Sequence, residues 1–421
     1  MVHPPSNTTH KGNKINTLYI KMPTLDSGDQ YSVWVGLIYI FNLIVGTGAL
    51  TLPAAFARAG WGLSTISLVF LAFMSFMNAT YVIETMACAN AVYKWKRLQF
   101  IKRNSISQCE LEDPLVCGDT IPSRYYSLDR RVELGEMANL FLCKTGRSVF
   151  YCTLCLWDHL SSSMCKRPTF IIMISMAIHL LIHNGPQGRP PAFDFTGLPT
   201  LFGACVYSFM CHHSLPGLIS PIRRKSYLGL HISLDYMLIT IFYLLLAFTG
   251  AFAFANLSDL YTLNFIPKNN ENIFLEIVEY FLALFPVFTL STSFPIIAIT
   301  LRNNLQSLFL DTSRLDTYNV ILRRLLFPVL AVVPPLLLTY FLEDISILIK
   351  FTGSYAGTGI QYFIPTFLVI SARRHCKNLL GLGVVNKYKS PFSNIAWAIF
   401  VLLWSLMCII LVTVNMFQKH S

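Results

Sequence analysis

Residues 41–56 read FNLIVGTGALTLPAAF. The stretch lies inside a longer apolar run that could cross a membrane as a helix. Gly46 and Gly48 lower the cost of unwinding such a helix, Pro53 removes a backbone donor, and Asn42 adds a polar group at mid-span. Unwound backbone is tolerated in a bilayer only where it is buried in protein or lines a cavity. The stretch therefore predicts a broken membrane helix whose freed backbone groups serve a binding site.

A second interpretation of the two glycines stays open. Small residues also let neighbouring membrane helices pack closely, and that use needs no unwinding. Gly46 and Gly48 alone do not distinguish a break from a close helix contact.

The composition places the whole chain in the membrane. Of the 421 residues, 54% are hydrophobic and only 13% are charged, and the mean hydropathy is +0.54. Because hydrocarbon offers no hydrogen-bond partners, apolar runs of about 20 residues predict helices that satisfy their own backbone. Alternating segments of about 10 residues, typical of barrel strands, are not seen. The predicted fold class is an all-α polytopic membrane protein.

Nine apolar segments define the predicted organisation of the chain, and one of them is short. The strong spans are 33–57, 63–86, 199–221, 234–256, 274–300, 325–342, 350–371 and 394–416, and the short one is 169–183. The predicted regions are a cytosolic tail (1–30), the first two transmembrane helices (31–92), a cytosolic basic loop (93–132), a truncated region with about one crossing (133–198), six transmembrane helices (199–417) and a C-terminal tail (418–421).

The basic residues predict the orientation. The formal net charge is +11, and alternating sides at each span places most of the 32 Lys and Arg residues on the side of the N-terminus. By the positive-inside rule that side is cytosolic, so the charge indicates sidedness rather than a nucleic-acid partner. The sequon at Asn256 then falls in an outer loop, where it predicts glycosylation. The plasma membrane and an endolysosomal membrane both remain open as locations.

A second span is interrupted in the same way. Residues 203–222 read GACVYSFMCHHSLPGLISPI, with His212 and His213 shortly before Pro216. Ionisable groups at membrane depth are costly and mark functional sites by default. The imidazoles are predicted to take part in proton coupling or to contact a substrate, since histidine titrates near neutral pH. The alternative is that a histidine caps a kinked helix or bonds a neighbouring carbonyl.

Two further irregular segments carry polar side chains. Residues 285–300 hold Thr292 and Ser293 between two prolines, and such hydroxyls suit a small cation, although membrane Ser and Thr also bond to their own helix. Residues 350–365 hold Tyr355 among glycines, which predicts either a gate or a close helix contact. Glu84, near the cytosolic end of its span, is predicted to snorkel or to pair with a loop base rather than to relay protons.

Four of these stretches, taken in order, resemble a known family. NLIVGTGALTLP, YSFMCHHSLPGLISPI, FPIIAITLRNN and GSYAGTGIQYFIPTFLV are similar to the amino acid/auxin permease family of secondary transporters, within the amino acid-polyamine-organocation superfamily. The resemblance implies an inverted-repeat transporter bundle of eleven helices, with the first and sixth helices discontinuous. Because the family would place three helices where 133–198 has room for one confident crossing, the first repeat is expected to be incomplete.

The resemblance also implies roles for particular residues. Gly46, Thr47 and Gly48 would offer backbone to a substrate carboxylate, and a second group would face it from the other repeat. That second group consists of Tyr207, Ser208, Cys211 and His212. Thr292 and Ser293 would correspond to the region that holds a coupling ion in related sodium-dependent transporters. The residues themselves, apart from the resemblance, make His213 a further candidate for ion coupling and Tyr355 the candidate gate.

The predicted function is secondary transport of an amino acid or a similar small zwitterion, coupled to H⁺ or Na⁺. The alternatives are a non-transporting membrane sensor or scaffold and a splice variant that does not transport. No catalytic residue, metal site or cofactor is predicted, because the sequence has no HExxH motif and no Walker A motif. The expected partners are the lipid bilayer and a small-molecule substrate.

Overall fold

The structure, a computed structural model, describes residues 30–108, 125–142, 166–266, 273–310, 325–341, 351–381 and 384–418. Within these ranges the chain is mostly helical and forms no β-strand beyond one isolated bridge. The helices are α1 (Val33–Ile44), α2 (Leu52–Ala59), α3 (Trp61–Gln108), α4 (Leu134–Phe141), α5 (Lys166–Asn184), α6 (Leu198–Phe209), α7 (Leu215–Ile219), α8 (Leu228–Ala253), α9 (Ile273–Phe309), α10 (Phe327–Phe341), α11 (Ile364–Leu380) and α12 (Ile395–Gln418). Two π-helical segments, Thr352–Gly357 and Gly359–Phe363, lead directly into α11.

Several helices are long and apolar enough to cross a bilayer. Among the described residues these are Trp61–Phe100, Leu228–Ala253 and Ile395–Val414, and the bent pair α1 and α2 adds a fourth span if it is counted as one. The all-α polytopic membrane fold is therefore confirmed. Helix α3 continues past residue 92 to Gln108, so the predicted basic loop begins with a helical extension.

The two predicted broken spans are indeed discontinuous, and they run antiparallel beside each other. Tyr31 lies just before α1, and Pro221 and Arg223 lie just after α7. The Tyr31 N–H donates to the Pro221 carbonyl at 3.2 Å, and the Tyr31 carbonyl accepts from the Arg223 N–H at 3.0 Å. At the far end, the Ala59 carbonyl of α2 accepts from the Asp194 N–H at 2.8 Å, just before α6. The start of each broken span thus lies beside the end of the other.

Two long helices support this antiparallel pair. Helix α8 packs against α1, α2, α3 and α5, and α3 also packs against α6 and α11. Tyr81 on α3 and Tyr243 on α8 are among the largest fully buried side chains. The pair therefore lies inside the bundle, where irregular backbone can be satisfied by protein groups.

The two ends of the bundle differ in charge. Basic side chains from separate loops gather at the end that holds the start of α1, which we call the basic end; it carries Arg130, Arg223, Lys225, Lys387 and Lys389. At the opposite end, Arg58 at the end of α2 forms an ion pair with Asp259.

Region 133–198 contains α4 and α5 within its described residues. Helix α4 has eight residues, too few to cross a bilayer, and packs against α3 and α11. Helix α5 covers the predicted short segment 169–183 and packs against α8; its apolar part, Thr169–Asn184, is shorter than the helices that are long enough to span a bilayer. The segment Phe141–Trp157 of the same region falls almost entirely outside the described residues.

Candidate functional site

The first break interrupts the opening stretch. Helix α1 ends at Ile44, Gly46 is extended (φ −124°, ψ −159°), and a 3₁₀ turn spans Thr47–Thr51 before α2 begins. Pro53 lies in the first turn of α2, where its missing N–H costs nothing. The two helical halves meet at an angle of 48°. The residues that predicted the break are therefore the residues that form it.

The second break lies between α6 and α7. Met210 is extended (φ −78°, ψ 100°), and the Cys211 carbonyl accepts from the N–H groups of Ser214 and Leu215 at 3.0 and 3.1 Å. Pro216 lies in the first turn of α7. Both breaks consequently have the same local construction, with extended backbone followed by a turn and a proline.

The two breaks touch. A Cβ atom added at Gly48 would lie 2.8 Å from the Ser208 Cα and 2.6 Å from a ring carbon of Tyr207, closer than side chains can approach. Glycine is required here because backbone meets backbone across the antiparallel pair. Both interpretations therefore apply to Gly48, because it lies in unwound backbone and also permits the close approach of the second broken helix.

A tyrosine hydroxyl on α8 joins the two breaks. Tyr243 Oη lies 2.9 Å from the Ile44 carbonyl and 3.0 Å from the Ser208 carbonyl, and it donates its single hydrogen between them. Both carbonyls belong to the last turn of a helix, where no backbone partner remains. Tyr243 is fully buried, so its hydroxyl replaces the water that these carbonyls would otherwise need.

A second set of side chains from α3 and α8 satisfies the other side of the second break. Ser75 Oγ donates to the Phe209 carbonyl at 3.3 Å, and the Ser75 carbonyl lies 3.0 Å from His212 Nε2. Because a carbonyl only accepts, Nε2 must carry a hydrogen. The Tyr236 hydroxyl lies 3.1 Å from Cys211 Sγ. His212 thus bonds a neighbouring carbonyl, and its Nδ1 is buried with no hydrogen-bond partner among the described residues.

The structure brings most of the predicted substrate residues together at these breaks. Tyr207, Ser208, Cys211 and His212 are buried, and Ser208 Oγ donates to the Ala204 carbonyl of its own helix at 2.7 Å. Asn42 is half-buried on α1, one turn before the first break, and Gly46 is half-buried within it. Thr47 begins the 3₁₀ turn. His213 is half-buried beside His212.

The remaining predicted residues lie elsewhere. Thr292 and Ser293 belong to α9, and their side chains fall outside the described part of the structure. Tyr355 lies in the first π-helical segment, and its hydroxyl is 2.7 Å from the Thr413 hydroxyl on α12. Asn256 is exposed in the loop after α8.

The π-helical segment that carries Tyr355 packs tightly against α6. A Cβ at Gly353 would lie 2.2 Å from the Gly203 carbonyl, and one at Gly357 would lie 3.3 Å from the end of the Met210 side chain. Single-turn π segments are frequent at functional sites. This segment forms a wall beside the second break.

An ion pair that the sequence only partly suggested lies towards the basic end. Glu84 on α3 accepts two hydrogen bonds from Arg373 on α11, at 2.8 and 2.7 Å, and a third from the Ser390 N–H at 3.0 Å. Its side chain is 3% exposed. The prediction that Glu84 pairs with a base is confirmed, although Arg373 belongs to a helix rather than to a loop.

Among the described residues no group of three or more His, Cys, Asp or Glu side chains is arranged to bind a metal ion. The polar groups at the breaks include carbonyls, hydroxyls, the Cys211 thiol and the imidazoles of His212 and His213.

These features define a class of protein: a polytopic α-helical membrane protein in which two discontinuous helices cross antiparallel and meet at their breaks. The chain belongs to the family described as "Transmembrane amino acid transporter protein", whose sequence profile matches residues 29–99 and 148–416. This is a family of transporters rather than enzymes.

Similar proteins occur in distant organisms. The chain is 44% identical to a protein of Drosophila melanogaster named "Transmembrane protein 104 homolog", over 94% of this chain and 100% of that protein. It is 38% identical to "Transmembrane protein 104" of Homo sapiens, over 94% and 98%. A Dictyostelium discoideum homologue is 29% identical over 92% and 97%.

The relatives are longer than this chain. The alignment with the Drosophila protein runs over 510 positions, whereas this chain has 421 residues in all, so part of the relative has no counterpart here. Region 133–198, where the first repeat is expected to be incomplete, is described only over residues 133–142 and 166–198.

Proposed function

We propose that the chain is a secondary active transporter of amino acids or similar small zwitterions, coupled to H⁺ or Na⁺ and working by alternating access. The observation that carries the proposal is the contact between the two breaks, where Gly48 meets Ser208 inside the bundle. A small charged molecule in a membrane needs polar groups that are not already hydrogen-bonded within a helix, and this fold supplies such groups at the breaks.

The chemistry of the breaks suits both ends of a zwitterion. The extended backbone around Gly46 precedes a 3₁₀ turn and α2, so its N–H groups and the positive end of the helix dipole favour a carboxylate. The carbonyls of Ile44, Ser208 and Phe209 are acceptors for an ammonium group. A substrate that bound there would replace the Tyr243 and Ser75 hydroxyls as the partners of these carbonyls.

Transport requires that the contact between the breaks opens. In the described conformation Gly48 and Ser208 are too close for even one added carbon atom, so a substrate fits between them only after α1 and α6 separate. Alternating access would open this contact towards one end of the bundle and then towards the other. By the positive-inside rule we assign the basic end, and with it the N-terminus, to the cytosol.

The coupling ion has two candidate sites. His212 Nδ1 is buried beside the second break and could accept a proton. Thr292 and Ser293 on α9 are the proposed oxygen ligands of a sodium ion. Uptake driven by an imposed pH gradient would favour the first, and uptake driven by a sodium gradient would favour the second.

The test is uptake of labelled amino acids by purified protein in liposomes. We expect concentrative uptake of at least one amino acid under a pH or sodium gradient, and at least a tenfold lower initial rate for Gly48→Ala, because the new Cβ would collide with the Ser208 backbone. The matched control is Gly229→Ala, since no atom lies within 4 Å of a Cβ at Gly229.

Three outcomes of the uptake experiment would distinguish a transporter that uses the helix breaks from the alternatives. Uptake that Gly48→Ala abolishes and Gly229→Ala preserves, in variants that elute and melt as folded protein, supports the proposal. Saturable binding without flux would identify a metabolite sensor or a chain too short to transport. Unchanged uptake by Gly48→Ala would show that the breaks are not the transport site.

A further inference from the structure

A polar cavity of about 520 Å³ opens at the basic end, away from the helix breaks. Its walls come from α3, from Asp129 in the segment before α4, from the connection between α7 and α8, and from the loop between α11 and α12. Four of its lining side chains are cationic and one is anionic: Arg223, Lys225, Lys387, Lys389 and Asp129. Such a volume is within the range of small-molecule sites, which is about 300–1,000 Å³.

Lys225 is the most buried of these cations. Its side chain is only 10% exposed, and its ammonium donates to the Ser220 carbonyl at 3.0 Å. Its carboxylate partner, Asp129, is 3.7 Å away and 76% exposed, so water weakens the pairing. Burial lowers the pKa of Lys225, and the charge of Asp129 opposes that shift. A buried ammonium whose one anionic partner is exposed to water gains from a further anion.

Sidedness alone does not require this arrangement. The positive-inside rule is met by exposed basic residues anywhere in the loops, such as Arg374 and Lys377 on α11. Here cations from two separate loops instead line one concave wall. The wall also contains Tyr227, whose φ of 60° is unusual for a bulky residue and costs free energy.

The geometry points to a binding site for a multiply phosphorylated anion, most simply the headgroup of a phosphoinositide lipid. Arg223, Lys387 and Lys389 would pair with phosphate oxygens at the mouth of the cavity, and Lys225 would do so deeper inside. The site does not depend on transport by the helix breaks.

The position of the cavity favours a lipid as the source of the headgroup. Gly229 in the wall belongs to the first turn of α8. Leu230, Leu234 and Met237 follow on the same helix and are 60%, 52% and 60% exposed, which is typical of side chains that face hydrocarbon. The cavity therefore lies at the level where lipid headgroups meet the acyl chains. Juxtamembrane basic clusters commonly bind anionic lipids at that level.

Titration calorimetry of the full chain in detergent micelles tests the site. The probes are a dioctanoyl phosphatidylinositol bisphosphate, inositol trisphosphate and dioctanoyl phosphatidylcholine. We expect both phosphorylated probes to bind and phosphatidylcholine not to bind. Tighter binding of the lipid than of inositol trisphosphate indicates a membrane lipid as the source, whereas equal binding indicates a soluble inositol phosphate.

The variant Lys387→Gln/Lys389→Gln removes two exposed cations from the cavity wall. We expect it to weaken binding of the phosphorylated probes about 25-fold, since each of the two basic residues near an anionic headgroup contributes about fivefold. The control Arg374→Gln/Lys377→Gln removes the same charge from exposed positions outside the lining and should change the affinity less than twofold. Equal weakening by both variants, or no binding of either phosphorylated probe, would overturn the assignment.

Discussion

At the scale of single residues, one tyrosine hydroxyl holds the two helix breaks together. Tyr243 donates to carbonyls that end α1 and α6, so neither acceptor is left without a partner. An unsatisfied buried acceptor costs about 1–3 kcal/mol. Tyr243 is therefore a structural support of the breaks and, if a substrate binds there, a group that exchanges partners with it.

The substitution Tyr243→Phe tests this role. It removes the hydroxyl and keeps the ring, so we expect the free energy of unfolding to fall by about 1–3 kcal/mol. The measurement is unfolding of the purified protein in detergent, with Tyr280→Phe as the control because Tyr280 is 53% exposed. A Tyr243→Phe protein as stable as the wild type would show that the hydroxyl does not support the breaks.

The sequence predicted the breaks but not their supports. Gly46, Pro53 and Pro216 act on their own backbone, so their effect could be predicted locally. Tyr243 and Ser75 act on carbonyls of other helices, and which helices are neighbours is set by packing rather than by local sequence. An apolar span offers little sign that one of its tyrosines points at a break.

At the scale of elements, the buried ion pair between α3 and α11 fixes two long helices and a loop. Arg373 forms a bidentate pair with Glu84 and also donates to the Ser393 carbonyl at 3.0 Å. The sequence predicted that Glu84 pairs with a base, but it placed Arg373 in a loop because α11 was expected to end near 371. Lysine and arginine at the end of a helix resemble loop residues when only composition is considered.

Removing one charge of this pair should lower the stability of the protein. We expect Glu84→Gln to lower the free energy of unfolding by about 3–5 kcal/mol, because it leaves a partly buried guanidinium without its carboxylate. Adding Arg373→Met to the same chain should recover part of the loss. The control is Glu133→Gln, which breaks an ion pair that is 60% and 62% exposed and should cost about 0–1 kcal/mol. If both single variants lose equal stability, the buried pair has no special role.

At the scale of the whole molecule, two properties define the fold: the antiparallel pair of broken helices and the separation of charge between its ends. The all-α membrane class followed from composition alone, since hydrocarbon permits few alternatives. The alternating sides of the spans implied that the two broken spans run in opposite directions, but not that they lie beside each other, which only contacts such as Tyr31 with Pro221 and Ala59 with Asp194 establish. The inverted repeat stays an expectation.

The orientation of the molecule can be tested at Asn256. If the basic end is cytosolic, this exposed residue lies on the outer or luminal side and should be glycosylated in eukaryotic cells. Treatment with an endoglycosidase should then increase electrophoretic mobility, and Asn256→Gln should abolish the change. As an independent measure, we expect the cysteine of the Lys389→Cys variant to react with an impermeant thiol reagent added outside the cells only after the membrane has been permeabilised. Reaction in intact cells would show that the basic end faces outward, opposite to the orientation assigned here.

The central claim is that two interrupted helices cross antiparallel and meet at Gly48 and Ser208 inside the bundle. Electron cryo-microscopy of the full chain in lipid nanodiscs would measure this most directly. We predict density in which the backbone leaves helical geometry at Val45–Gly46 and again at Met210, with the two interruptions side by side and Tyr243 between them. Continuous helical density through both segments, with the segments apart and facing lipid, would contradict the account.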